Sequence, residues 1–298
     1  MLHSDERYIN PLTDFGFKRI FGTPFNKDLL IDFLNALLEG EREVSDVQYR
    51  NSENLGTNEK ERRAIFDVYC QSKDGSRFIV EMQNVYQEFY KDRSIYYSTF
   101  PISEQNKRGD WNYQLQPVYT IGILNFTFPE DKQGENGVYK EVKLMDVNNK
   151  TVFYDKLTYI YVELANFNKT EDELETTRDK WIYVLKNLQG LFERPAALQG
   201  RVFEKLFRTA EISKFNTEEL REYEQSVNAY RDIKNGMDAA KAEGFKKGKA
   251  EGRAKGLEEG SRNTALNHAR RMKAKGFSDK DISDITGLSI EQIKNLTL

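Results

Sequence analysis

One stretch constrains the fold more than any other. Phe66-Asp67-Val68-Tyr69-Cys70 and Phe78-Ile79-Val80-Glu81-Met82-Gln83 flank the turn signal Lys73-Asp74-Gly75, which reads as a β-hairpin. A two-residue Asp74-Gly75 turn would set Val68 opposite Glu81 and Phe66 opposite Gln83, mixing apolar and polar groups on both faces. A three-residue Lys73-Asp74-Gly75 loop, with Gly75 in the left-handed conformation, shifts the pairing by one and turns every side chain of one strand over. That register puts Phe66/Met82, Val68/Val80 and Cys70/Phe78 on one apolar face and Ile65/Gln83, Asp67/Glu81 and Tyr69/Ile79 on the other. It is the register that buries cleanly. It predicts Phe66, Val68, Cys70, Phe78, Val80 and Met82 together in the core and places Asp67 directly opposite Glu81.

Directly opposed carboxylates destabilise a ladder, and each resists ionising beside the other. A hard cation with oxygen ligands offsets that repulsion. The hairpin alone allows a second explanation, in which the two acids sit at a wet sheet edge and repel weakly.

Composition narrows the chemistry. The chain has 298 residues, enough for one large domain with appendages or for two domains. No apolar run approaches the length of a membrane span, and Met1-Leu2-His3-Ser4-Asp5 lacks a signal-peptide core. The one cysteine, Cys70, falls on the apolar face of the hairpin and reads as a buried thiol, which fits a reducing cytoplasm. The only histidines are His3 and His268, which argues against a Ser-His-Asp triad, a zinc protease helix or a His-metal nuclease finger. No phosphate-binding glycine loop is present, so any catalysis must be run by carboxylates. A net charge of -3 gives no global attraction for nucleic acid, and a binding surface would have to be a local basic patch.

Along the chain, Thr13 to Gly22 reads as a short capped helix, and Asn26 to Leu38 as a helix with Asn26 as cap and Gly40 as stop. Val44 to Arg50 is a first strand and Asn51 to Glu61 a polar loop before the hairpin. Tyr86 to Asn106 has helical character, and Pro117 to Phe126 is the nearly continuous apolar run of a buried central strand. Glu141 to Asp146, Lys150 to Tyr154 and Tyr159 to Ala165 are further strand-like segments. Leu174 to Leu188 and Gly200 to Ala210 are helical, and a long charged helix runs from Thr217 toward Lys275. Within it Gly244, Gly248, Gly252, Gly256 and Gly260 recur every four residues. Five interior glycines cost a helix roughly 5 kcal/mol relative to alanine. Close packing against a partner helix would offset that, and otherwise the segment is a linker. The end, Phe277 to Ile293, is similar to a helix-turn-helix with Ser278 and Ser289 as caps, Gln292 completing a capping box and Gly287 at the turn. Its second helix is poor in base-reading groups, so a small helical clip is the plainer reading. The expected domains are 1–168 (nuclease-like), 169–236 (helical), 237–275 (glycine-striped helix) and 276–298 (terminal helical segment).

The α-β-β-β-α-β order, with Asp67 on one strand and Glu81-x-Gln83 on the next, resembles the PD-(D/E)XK nuclease superfamily. Asp14-Phe15-Gly16-Phe17-Lys18-Arg19-Ile20-Phe21-Gly22, Ile79-Val80-Glu81-Met82-Gln83, Arg93-Ser94-Ile95-Tyr96-Tyr97, Pro117-Val118-Tyr119-Thr120-Ile121, Val162-Glu163-Leu164 and Thr286-Gly287-Leu288-Ser289 occur in order. As a set they resemble the Rpn-type recombination-promoting nucleases, also described as transposases. The resemblance covers nearly the whole chain. It implies an α/β restriction-endonuclease-like core with a mixed sheet flanked by helices, and Mg²⁺-dependent phosphodiester hydrolysis in DNA with Mn²⁺ as a substitute ion.

Carried across, Asp67 and Glu81 would be metal ligands, with the Met82 carbonyl as a third and Asp14 approaching from the first helix, where it could equally be a helix cap. Gln83 stands where the superfamily usually has lysine, a departure common in this subfamily. Glutamine orients a water but cannot donate positive charge to a developing transition state. A weaker enzyme, or one borrowing Lys18 or Lys91 for that charge, follows. Lys18, Arg19, Lys91 and Arg93 are the candidate phosphate contacts, each of which could also be an ordinary solvated helix residue. The leading expectation is a DNA endonuclease of recombination or transposition, self-associating through its C-terminal helix. The rival is a nuclease-derived binding or assembly protein whose hairpin no longer cleaves.

Overall fold

The computed structural model describes residues 6–51, 53–54, 64–106, 112–130 and 137–296. The helices are α1 (Asp14–Phe21), α2 (Lys27–Leu37), α3 (Tyr90–Ser103), α4 (Thr177–Asn187), α5 (Arg201–Ala210), α6 (Thr217–Ala274), α7 (Asp279–Thr286) and α8 (Ile290–Lys294). The strands are β1 (Val47–Tyr49), β2 (Glu53–Asn54), β3 (Ala64–Ile65), β4 (Val68–Ser72), β5 (Arg77–Gln83), β6 (Val118–Leu124), β7 (Tyr139–Asp146) and β8 (Thr151–Glu163). Six of them form one mixed sheet in the order β1-β4-β5-β6-β8-β7, as expected of this fold class. β1, β4 and β5 run antiparallel, α3 carries the chain across to β6, and β6 lies parallel to both β5 and β8. Every residue of β6 is buried, Thr120 included, as a nearly continuous apolar run requires of a central parallel strand.

The two faces of the sheet are covered differently. On one, Val68, Cys70, Phe78, Val80, Ile121, Ile123, Ile160 and Val162 share a core with Leu29, Leu30, Phe33 and Leu34 of α2 and with Trp181, Leu185, Leu206 and Phe207 of α4 and α5. The helices after residue 169 therefore close the same core as the sheet. Cys70 is fully buried there, and burial pushes its thiol up to about 12. On the other face lies α3. Its inward side is Tyr90, Ser94, Ser98 and Pro101, an unusually polar stripe. Two hydroxyl pairs explain it: Ser94 Oγ meets Tyr161 Oη at 2.7 Å, and Ser98 Oγ meets Tyr159 Oη at 2.9 Å, both on β8.

Several expectations are corrected. Phe66 does not join Val68 and Cys70. The β4–β5 ladder ends at Val68↔Val80, the chain turns over at Asp67, and Phe66 packs with Tyr69, Ile79, Tyr97 and Phe100 on the α3 face. Asn26 does not cap α2 through its side chain, which instead donates to the Arg19 carbonyl. The segments expected at 150–154 and 159–165 are one strand, β8, whose outer half pairs with the end of β7 through a register shift. Most of the polar loop expected over 51–61 lies outside the described residues. Its described part, β2, pairs with β3.

Two compact units divide the chain, Met1–Arg231 and Asp232–Leu298. In the first, the start of α6 pins the segment before α1: the Tyr223 hydroxyl accepts from the Asn10 N–H and the Ser226 hydroxyl from the Phe15 N–H. In the second, Ala269 of α6 packs with Ile282, Leu288 and Ile293. Ser278 and Ser289 cap α7 and α8, Gln292 completes the capping box and Gly287 adopts φ +70°. Gly244 to Gly260 are helical, and among the described residues a Cβ added at any of the five glycines would meet nothing within 4 Å. Among the described residues no helix is long and apolar enough to cross a membrane.

Candidate active site

The site begins with the turn. Gly75 adopts φ +88°, and the Asp74 carboxylate accepts from the Ser76 N–H and hydroxyl at 3.1 Å each and pairs with Arg42. This fixes the three-residue loop and hence the register, with Val68 opposite Val80, Tyr69 opposite Ile79 and Cys70 opposite Phe78. Where β4 ends, the ladder is replaced by a clasp made of side chains. The Asp67 N–H donates to Glu81 Oε1 at 3.1 Å, and the Met82 N–H donates to Asp67 Oδ2 at 2.7 Å. Each carboxylate satisfies a backbone donor at the end of the ladder, so both are held in place.

Holding the two acids together, Glu81 buried and Asp67 half-buried, has an electrostatic consequence. Burial pushes Glu81 up to about 8, with the Asp67 charge adding to it and the Asp67 N–H, Arg93 and Lys18 opposing it. Asp67 is also raised, chiefly by burial, against the Met82 N–H, Lys18 and Arg93, while Asp14 adds to the rise. Such a pair favours protons or a cation. Two carboxylates suit Mg²⁺, which takes one or two carboxylates and fills its other positions with water and phosphate oxygens. Among the described residues no group of three His, Cys, Asp or Glu side chains could hold a metal. Asp14 is accordingly not brought into a ligand set. Thr13 caps α1, and the Asp14 carboxylate pairs with Lys18 at 2.8 Å.

The basic residues separate into two groups. Arg93 lies beside the pair: its Nη2 donates to Gln83 Oε1 and its Nη1 to Gln87 Oε1, each at 2.6 Å. Its guanidinium stacks over Tyr90 at 4.9 Å and Tyr97 at 5.6 Å. The Gln83 amide donates onward to the Val85 carbonyl at 3.0 Å. Lys18 joins Arg93 as the second cation acting on both carboxylates. Arg19 and Lys91 are engaged elsewhere. Arg19 is paired with Glu219 and lies over Phe215, so it helps join α1 to α6. Lys91 is paired with Glu130 and lies over Phe128.

Tyr90 escaped the sequence reading. A Cβ on Gly122 would lie 2.5 Å from the Tyr90 hydroxyl, so the glycine in β6 makes room for that ring. Burial holds the phenol well above its usual range, and Glu81 is the next cause. An isolated glycine inside an apolar strand signals close approach, and it was the one available cue.

Matched against known families, residues 11–240 fit the one described as PD-(D/E)XK nuclease family transposase. No curated protein and no solved structure matches the chain. With 11–240 matched and a carboxylate pair held at the end of a hairpin in a mixed sheet, the chain belongs to the PD-(D/E)XK nuclease family transposases.

Proposed function

We propose that this chain is a metal-dependent endonuclease that cuts DNA during recombination or transposition. The observation that carries the reading is the Asp67–Glu81 clasp, a half-buried and a buried carboxylate held together against their own repulsion. Asp67, Glu81 and the Met82 carbonyl would hold Mg²⁺, or Mn²⁺ in its place, which supplies Lewis-acid activation of the phosphate and of the attacking water. Gln83 fixes Arg93 and orients water. Arg93 brings to the carboxylates the positive charge that glutamine lacks, and Lys18 adds a second cation at the same edge. Lys18 and Arg93 are the phosphate contacts in this reading, while Arg19 and Lys91 serve the fold.

A plasmid-nicking assay on the full chain tests it. Supercoiled DNA is expected to be nicked with Mg²⁺ or Mn²⁺ and left intact with EDTA. Intact plasmid with both ions would leave the nuclease-derived binding protein as the better description.

Self-association through α6 belongs to the same proposal. Among the described residues the glycine stripe meets no neighbour that would offset its propensity cost, which favours a second helix as its partner. Replacing Gly248, Gly252 and Gly256 with leucine is expected to lower the sedimenting mass by blocking backbone approach, with alanine milder. An unchanged mass for the leucine variant rules out the packing role.

A further inference from the structure

Phe89, the residue just before α3, and Arg93 and Tyr96 within it stand four and three residues apart, the two rings exposed and Arg93 half-buried. Phe89 is 66% exposed and Tyr96 45%, large values for aromatic rings beside a catalytic site. Together with Gln87, Glu88 and Asp92 they line a cavity of about 390 Å³, within the range that holds small ligands. Among its lining residues is Arg93, the same guanidinium that reaches Gln83 two positions beyond Glu81. The cavity thus opens next to the carboxylate pair. Tyr96 meets Phe100 edge-on at 5.1 Å, which supports one side of its ring.

We propose that this cavity binds an unpaired nucleobase of the DNA strand being cut. The inference rests on the nuclease reading of the neighbouring site. The lining distinguishes a base from the other groups DNA offers. Glu88 and Asp92 outnumber Arg93, whose Nη groups are turned to Gln87 and Gln83, so the lining disfavours a phosphate, while the two carboxylates accept from the exocyclic amines of adenine, cytosine and guanine. The Phe89 and Tyr96 rings supply faces on which a base stacks regardless of its identity. A base inside a duplex is already stacked on both sides and cannot reach a ring on a helix surface. The substrate that fits is therefore DNA with an unpaired nucleotide next to the scissile phosphate, as at a bubble, a gap or a frayed end.

The test is fluorescence anisotropy on the full chain in EDTA, using one labelled duplex fully paired and the same duplex with a central three-nucleotide bubble. Wild type is expected to bind the bubble at least about tenfold more tightly. Phe89→Ala/Tyr96→Ala should lose about tenfold on the bubble, the usual effect of removing stacking partners, and under twofold on the paired duplex. Phe89→Trp/Tyr96→Phe should keep the preference, and unchanged melting of all variants separates stacking from folding. Equal wild-type affinity for the two DNAs, no binding to either, or a double-alanine variant that binds the bubble as wild type does would each overturn the proposal. Bubble preference without any nicking by Mg²⁺ or Mn²⁺ would sink the nuclease reading and leave the base site. Nicking without bubble preference would do the reverse.

Discussion

Asp67→Asn and Glu81→Gln chains are expected to fold, to bind DNA and to lose cleavage by about 10³-fold or more, the scale of removing a group that acts directly on the reacting charge. Amides are the informative replacements. Each keeps an oxygen for the backbone donor that its carboxylate now serves, whereas Asp67→Ala strands the Met82 N–H and costs about 1–3 kcal/mol. The same variants change stability with a predictable sign. Glu81 titrates near 8 in the folded chain against 4.5 ordinarily. Between those values the folded state holds a proton that the unfolded state has released, so stability is full below about 4.5 and falls as pH rises toward 8. Metal-free Glu81→Gln should therefore melt roughly 5–10 °C above wild type at pH 8 and near it at pH 4.5. Thermal melts in EDTA at the two pH values check this. Wild type and Glu81→Gln melting alike at pH 8 would mean that the carboxylate pair is not under the strain that a cation would relieve.

The hairpin was legible because period-two alternation and a three-residue turn leave one clean register, and Val68↔Val80 is what the chain adopts. Asp67 and Glu81 do meet, yet beyond the end of that ladder, through the Asp67 N–H on Glu81 Oε1 rather than as opposed ladder residues. Phe66 was misread for a physical reason: the alternation argument holds only while the ladder continues, and here two carboxylates take over the backbone donors one residue too soon. The buried side of α3 was hidden because Ser94 and Ser98 are buried as partners of tyrosines on β8, and hydroxyl pairs leave no trace in an apolar period. β6 and α6 were plain, one from its nearly continuous apolar run and the other from length and composition. That Arg19 and Lys91 turn to Glu219 and Glu130 depends on acids far along the chain, which no local pattern records.

Arg93 is where the structure changes the expected chemistry most. With glutamine in place of the usual lysine, the sequence suggests that Gln83→Lys should preserve or raise activity. The geometry argues otherwise. Gln83 Oε1 accepts from Arg93 Nη2 at 2.6 Å, so an ammonium at residue 83 would face a guanidinium where an acceptor now stands. Gln83→Lys alone is expected to lower activity, because it expels the arginine it was meant to supplement. Arg93→Gln should cost about 10²-fold, the scale of losing one preorganised positive donor at developing phosphate charge. Combined, Gln83→Lys/Arg93→Gln returns one cation to the site from the strand rather than the helix, and should recover much of that loss. The two changes share a partner and sit in contact, so strong non-additivity is expected. Single-turnover rates on one plasmid, with melts to show that losing the contacts to Tyr90 and Tyr97 leaves the fold intact, complete the cycle. A double variant no faster than Arg93→Gln would mean that residue 83 cannot supply the charge. An Arg93→Gln chain cutting as wild type does would move the role to Lys18, the other cation acting on both carboxylates.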